Sequence, residues 1–270
     1  MSAVTAPSTR SDSAEIAARF VEARLAARAL PDYPGSAPSD MATAYATQDA
    51  AIDLFPDRIV AWKVGMVPPA LHDRLGARRL AGPIFSRNLW VASAEPTPLP
   101  AIAGGFAAVE AEFVARIGPV DPEQRDWTLD EAVEVIVALH IGVELAGSPL
   151  KTINDLGSAV VASDFGNNGG LVIGPEIKDW RARLDSIEIQ TTIDGIVVGT
   201  GTASSIPAGI LESVRFLLEH CARRGRPLAE GTLISTGAVT GVHEAAIGSR
   251  STCAFSGVGA IHCTVVPDDR

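Results

Sequence analysis

A chain of 270 residues is long enough to bury a sizeable core as one large domain, and a formal net charge of −10 argues against nucleic acid as a partner. Hydrophobic residues make up 47 % of it, yet no run of about 20 apolar residues is free of charge, so no membrane span is predicted. The three cysteines, Cys221, Cys253 and Cys263, show neither CxxC nor metal-finger spacing, and their odd number fits a reducing cytoplasm.

Residues 1–10 lack the apolar core of a signal peptide and read as a short disordered leader. Residues 11–56 read as a helical N-terminal part. Asp12-Ser-Ala-Glu15 caps a helix that runs to about Ala29, with Ile16, Phe20, Ala23 and Ala27 as its apolar stripe. A proline-rich loop follows, and a second helix runs from Ser39 or Asp40 to Leu54, stopped before Pro56. Residues 57–270 read as a β-rich catalytic domain, with strands predicted at 59–66, 106–117, 139–146, 170–173, 186–193, 196–198, 232–236 and 260–266. The step Asp194-Gly195 marks a hairpin. Thr128-Leu-Asp-Glu131 is a capping box that opens a helix to about Ala138, and a further helix at 208–223 is stopped by Gly225 and Pro227. The class is α+β with a dominant β core. The chain has no GxGxxG, no Walker loop and no internal repeat, which disfavours nucleotide binding.

Three carboxylates stand out in this pattern. In 106–117 the face Ala107, Val109, Ala111, Phe113, Ala115 and Ile117 is wholly apolar, and Glu110 and Glu112 share the opposite face. Two positions apart on a strand, they lie ~7 Å apart along the backbone and can converge on one ion. Glu144 lies in 139–146 on one face with His140 and Gly142, with Leu139, Ile141, Val143 and Leu145 on the other, which makes it a candidate third ligand from a neighbouring strand. Burying a carboxylate costs on the order of several kcal/mol unless a partner neutralises it, and neither segment carries enough basic residues. All-oxygen ligation selects a hard cation, Mg²⁺ or Mn²⁺. A Glu-x-Glu pair on a half-exposed strand reads by itself as a solvated face; Glu144, flanked by apolar residues, moves the reading toward an ion.

Other residues carry weaker signals. Lys63 shares a strand face with the small residues Ala61 and Gly65, where burial would lower its pKa and suit it to acid/base work; the same lysine also fits a snorkelling position at a sheet edge. The polar loop at 163–170, with Asp164, can line a site or be a plain turn. The small residues at 235–241, including Thr236 and Gly237, permit close approach of a ligand carboxylate to backbone N–H groups.

Taken in order, seven pieces resemble the 2-keto-4-pentenoate hydratase / 4-oxalocrotonate decarboxylase branch of the fumarylacetoacetate hydrolase superfamily. They are Trp62-Lys-Val-Gly65, Val109-Glu-Ala-Glu-Phe113, Gly142-Val-Glu144, Asp164 with Gly169-Gly-Leu-Val-Ile-Gly174, Gly225-Arg-Pro-Leu-Ala-Glu-Gly231, Leu233-Ile-Ser-Thr-Gly-Ala238 and Phe255-Ser-Gly-Val-Gly259, and together they cover about residues 59 to 266. The resemblance implies a mixed β-sandwich roll with peripheral helices, a Mg²⁺ or Mn²⁺ site and homo-oligomeric assembly. It implies a lyase, hydratase or decarboxylase, for 2-hydroxydienoic or 2-oxo acids from aromatic-compound breakdown, whose C1 carboxylate and C2 oxygen chelate the metal. Carried over by position, Glu110, Glu112 and Glu144 would be ligands and Lys63 the acid/base. A C–C bond hydrolase acting on acylpyruvates and a non-catalytic stabilising subunit are the alternatives.

This chain departs from the family pattern at four places. Arg87 stands where the family tends to have an acid, Ser148-Pro149 where it has a serine–arginine pair, Ile206 where a polar residue precedes Pro207, and Asp164-Phe165 where it has Asp-Asn. Arg87 suggests a substrate with a second carboxylate. Arg87, Asp164, Thr236 and Gly237 are the candidate substrate contacts.

Overall fold

Helices α1 (Thr9–Leu25) and α2 (Met41–Leu54) open the computed structural model, which describes residues 9–269. Most of the leader read at 1–10 therefore lies outside the described residues. Strand β1 (Ile59–Met66), the short helix α3 (His72–Leu75), β2 (Arg79–Phe85), β3 (Leu89–Val91), β4 (Thr97–Ala101) and β5 (Phe106–Ile117) come next. Then follow α4 (Leu129–Glu134), β6 (Ile136–Ser148), α5 (Ser158–Ser163), β7 (Asn168–Glu176) and α6 (Trp180–Arg183). The chain closes with β8 (Ile189–Ile193), β9 (Ile196–Gly201), α7 (Ile210–Arg223), β10 (Leu233–Ser235), β11 (His243–Glu244), β12 (Arg250–Phe255) and β13 (Gly259–Pro267). Among the described residues no helix is long and apolar enough to cross a membrane.

The strands form two mixed sheets. The first runs β2-β1-β10-β5-β6-β7-β3, with β11 also paired to β5, and the second runs β4-β13-β12-β8-β9. They pack through the apolar faces that alternation predicts: Phe113 of β5 meets Phe255 of β12 edge to face, with centroids 5.9 Å apart. This is the α+β sandwich roll with peripheral helices expected above.

Several elements differ from expectation for physical reasons. The helix at 129 stops at Glu134, and the β-branched run Val135-Ile-Val137 passes into β6, which pairs with β5 along its length. Strand β2 lacks alternation because it is buried on both faces, and it carries Gly82 and Pro83. Strand β4 contains Pro98 and Pro100, tolerated because it is an edge strand paired only to β13.

The other face of the first sheet is roofed. Gln48 of α2 donates from Nε2 to the carbonyls of Ala81 (2.9 Å) and Ala162 (2.6 Å), tying α2 to β2 and α5. Further along the sheet, β5 and β6 are buried on both faces over most of their length. Most polar residues placed there are cut off from bulk water.

Candidate active site

Register assembles the carboxylates. Strand β5 pairs antiparallel with β6 so that Glu110 stands opposite Glu144 and Glu112 opposite Gly142. One oxygen from each of Glu110, Glu112 and Glu144 lies within 4.8 Å of the others. Glu112 and Glu144 are 0 % exposed and Glu110 is 4 % exposed, so the solvated-face reading does not describe them. Like charges directly opposite on neighbouring strands repel, and nothing in the backbone pairing relieves that.

The hydrogen bonds aim these groups without neutralising them. Glu112 Oε2 accepts from the Ser235 hydroxyl and from the Gly237 N–H (2.9 Å). Glu144 Oε1 accepts from Asn168 Nδ2 at 2.9 Å, and Lys63 Nζ lies 3.4 Å from it. Glu112 Oε1 and Glu144 Oε2 are buried and receive no donor. Burial pushes Glu110 and Glu112 up to about 7 and Glu144 up to about 8, with Lys63 pulling each the other way. Lys63 itself is 5 % exposed. Burial lowers its pKa, as expected from sequence, but the three carboxylates raise it more, so the net direction is upward and the expected sign is corrected.

A cavity of about 550 Å³ opens from Lys63 and Glu110. Gly237 and Asn167 line it too. The backbone at Phe165, Gly166 and Asn167 is left-handed, with φ of 52°, 67° and 60°, which is uncommon for the two non-glycines. Gly82 makes this possible: a Cβ there would sit 1.9 Å from the Phe165 carbonyl oxygen. Asn167 is 4 % exposed, donates from Nδ2 to Asn154 Oδ1 at 3.3 Å, and keeps a buried Oδ1 with no donor. In the sequence Asn167 carries no signal beyond the Asn-Asn-Gly-Gly composition of its loop.

Three of the expected substrate contacts go elsewhere. Asp164 accepts from Arg24 Nε (2.6 Å) and from the Ser148 hydroxyl (2.6 Å), is 1 % exposed, and does not line the cavity. Arg87 lines a separate cavity of about 440 Å³, with its guanidinium over Phe55 and beside Asp57 at 3.4 Å. Thr236 is buried and donates to the Phe113 carbonyl at 2.9 Å. Gly237 does reach the cavity, but its N–H is spent on Glu112. His140 also stays apart, its Nδ1 facing the Gly174 carbonyl at 3.1 Å.

Arg24 is the other residue that sequence reasoning missed. Its guanidinium also donates to the carbonyls of Asn168 (2.9 Å) and Gly147 (3.0 Å). A guanidinium thus does stand beside Ser148 and Asp164, supplied by the N-terminal helix and not by the segment after Glu144.

Comparison with known proteins agrees with this architecture. Residues 83–266 match the family described as fumarylacetoacetate (FAA) hydrolase C-terminal. A 2-keto-4-pentenoate hydratase from Burkholderia vietnamiensis is 23 % identical over 256 residues, covering 93 % of this chain and 96 % of that protein. The 4-oxalocrotonate decarboxylase from Pseudomonas putida G7, solved with magnesium and adipate, superposes with a TM-score of 0.78 at 19 % identity, covering 97 % of this chain and 100 % of that one. Fumarylpyruvate hydrolase from Pseudomonas aeruginosa, solved with Mn²⁺ and pyruvate, gives a TM-score of 0.56 at 20 % identity over 79 % of this chain and 91 % of that one.

Proposed function

This chain belongs to the fumarylacetoacetate hydrolase family, and from that premise we propose that it is a divalent-metal-dependent lyase acting on a 2-hydroxydienoate or another 2-oxo acid. One observation carries the reading: when ionised, three buried carboxylates beside one ammonium leave two negative charges uncovered, the charge of one divalent cation. The two orphaned oxygens, Glu112 Oε1 and Glu144 Oε2, fit such an ion, and all-oxygen donors suit Mg²⁺ or Mn²⁺. Relatives of this fold solved with a divalent ion and a small organic acid support the same reading.

Glu110, Glu112 and Glu144 would hold the ion. Bound there, it would supply electrophilic stabilisation of negative charge on a substrate oxygen. The remaining work falls to the chain. Ser235 and the Gly237 N–H fix Glu112, and Asn168 fixes Glu144, so the carboxylates are oriented before substrate arrives. Lys63 holds a proton at Nζ on the cavity wall, next to Glu144, where it can pass to or from a substrate carbon. Glu112 and Glu144 are fully buried from bulk water, which strengthens each of these interactions.

A C–C hydrolase needs a base to activate water. Among the described residues no histidine lines the cavity, and the ring of His72, the histidine closest to Lys63 in sequence, bonds the Val67 carbonyl at 2.8 Å. That favours the lyase over the hydrolase. Three buried carboxylates with no ion would burden a merely structural subunit, which disfavours that alternative too.

Thermal unfolding with Mg²⁺, Mn²⁺ or EDTA, each with and without oxalate, tests the reading. Either cation should raise the melting temperature, and oxalate should raise it further only when the cation is present. A response to oxalate in EDTA would sink it. Loss of ultraviolet absorbance from 2-hydroxypenta-2,4-dienoate, beside an acylpyruvate, then separates lyase from hydrolase.

A further inference from the structure

The rest of the same cavity's lining has another character. Met66, Leu71, Leu80, Val161, Ile206 and Val242 make an apolar wall. They come from β1, the turn before α3, β2, α5, the turn before α7 and the loop after β10. Among the described residues that line the cavity, Lys63 is the only cation, and it lies 3.4 Å from Glu144. The one other charged lining group besides Lys63 and Glu110 is Asp155, an exposed acid. Neighbouring guanidinium groups are directed elsewhere. Arg79, beside Leu80 in β2, donates to the Pro207 carbonyl at 2.5 Å and faces Ser213 Oγ at 3.4 Å. Arg87 lines the separate cavity.

We propose that this far wall sets the substrate class, and that the substrate is a monocarboxylic 2-oxo or 2-hydroxydienoic acid with an uncharged alkyl or aryl tail. The proposal rests on the metal and 2-oxo acid reading above and adds what the distal half selects. One carboxylate belongs at the glutamate end, where a cation would meet it. A second would lie against apolar side chains, two of them, Leu80 and Ile206, buried, with no guanidinium or ammonium besides Lys63 among the lining residues to receive it, and in a cavity that also carries the charge of Asp155. An apolar tail gains on the same surface, roughly fourfold in affinity per methylene buried. The volume, about 550 Å³, falls in the range of pockets that take ligands well beyond five carbons. The second carboxylate suggested by Arg87 is thereby replaced by its opposite.

The test measures binding of 2-oxobutanoate, 2-oxohexanoate and 2-oxoadipate to the Mg²⁺-loaded protein by calorimetry, with oxalate as control. 2-Oxohexanoate should bind about tenfold tighter than 2-oxobutanoate, as two further methylenes allow. It should bind at least about tenfold tighter than 2-oxoadipate, which has the same six-carbon chain with a terminal carboxylate. Val242→Arg is at an exposed position that tolerates substitution, and it should narrow the gap between the six-carbon pair about fivefold or more. Equal or tighter binding of 2-oxoadipate by the unaltered protein would overturn the tail assignment alone. If neither oxalate nor any of the three acids bound in a Mg²⁺-dependent way, the metal reading itself would fall, and this one with it.

Discussion

The two ends of the cavity are built by opposite means. The carboxylate end stands on four adjacent strands, β1, β10, β5 and β6, in the middle of the larger sheet, and Glu112, Glu144 and Lys63 there each have a fixed partner. The far end gathers apolar side chains from six separate segments, and no hydrogen bond aims any of them. A buried charge must be held and must be answered, so its surroundings are strictly specified. An apolar wall needs only volume and shape, and hydrophobic residues of similar size can replace one another there. On the function proposed above, the contrast makes chemistry and selectivity separable, with the chemistry rigid and the selectivity open to change.

The largest expected effect breaks the rigid end. Glu112→Gln keeps shape but removes a negative charge, and it turns an amide toward two donors, the Ser235 hydroxyl and the Gly237 N–H. Affinity for Mg²⁺ should fall by more than about 100-fold, beyond the usual effect of losing an outer hydrogen bond, and turnover should vanish with it. Leu71→Ala at the far end should leave Mg²⁺ affinity unchanged. Calorimetry on both variants decides this, and equal losses would erase the distinction between the ends.

Arg24→Met comes next. Asp164 would remain buried with Ser148 as its one strong partner, and removing one member of a buried pair costs about 3–5 kcal/mol. Chemical denaturation should show that loss, and Arg24→Met combined with Asp164→Asn should recover part of it. This support was not legible in the sequence. Arg24 and Asp164 lie 140 positions apart, and an arginine at the end of a helix looks like an ordinary charged terminus. The glutamates were legible because period-two polarity inside an apolar run is an anomaly that local pattern exposes. The same pattern gave β1 and β5 their bounds. It missed β2, where burial on both faces removes alternation, and β4, where prolines mask an edge strand. Arg87 does not line the cavity of the glutamates, because the chain turns after β2 and carries it to a different one.

A smaller effect appears with pH. Free carboxyls titrate near 4.5 in the unfolded chain, whereas burial holds Glu110 and Glu112 up to about 7 and Glu144 up to about 8. Between those values the folded, metal-free protein binds more protons than the unfolded chain. The stability this contributes is fully present below about 4.5 and is lost as pH rises through 7 to 8. A cation needs the ionised carboxylates, so its stabilisation should grow over the same window. Melting in EDTA and in Mg²⁺ from pH 5.5 to 8.5 should show the gap between the two widening by roughly 2 kcal/mol or more. A constant gap would mean that the carboxyls are already ionised without metal.

Asn167 sits where the two ends meet, and the effect of removing its side chain on stability should be the smallest of all. Its left-handed backbone, at φ 60°, favours glycine, so Asn167→Gly keeps the turn while deleting the amide. The one hydrogen bond lost, to Asn154 at 3.3 Å, is long and reaches an exposed residue, so stability should change by less than about 1 kcal/mol. The Mg²⁺-induced rise in melting temperature should be unaltered, because Asn167 bonds none of the three glutamates. Asn167 nevertheless lines the cavity and keeps a buried Oδ1 with no donor, which a donor on substrate or on an attacking water would satisfy. Turnover should therefore fall about tenfold or more at intact fold and intact metal affinity. A variant that turned over at the full rate would assign Asn167 to the turn alone, and the boundary between the two ends would then lie at Lys63.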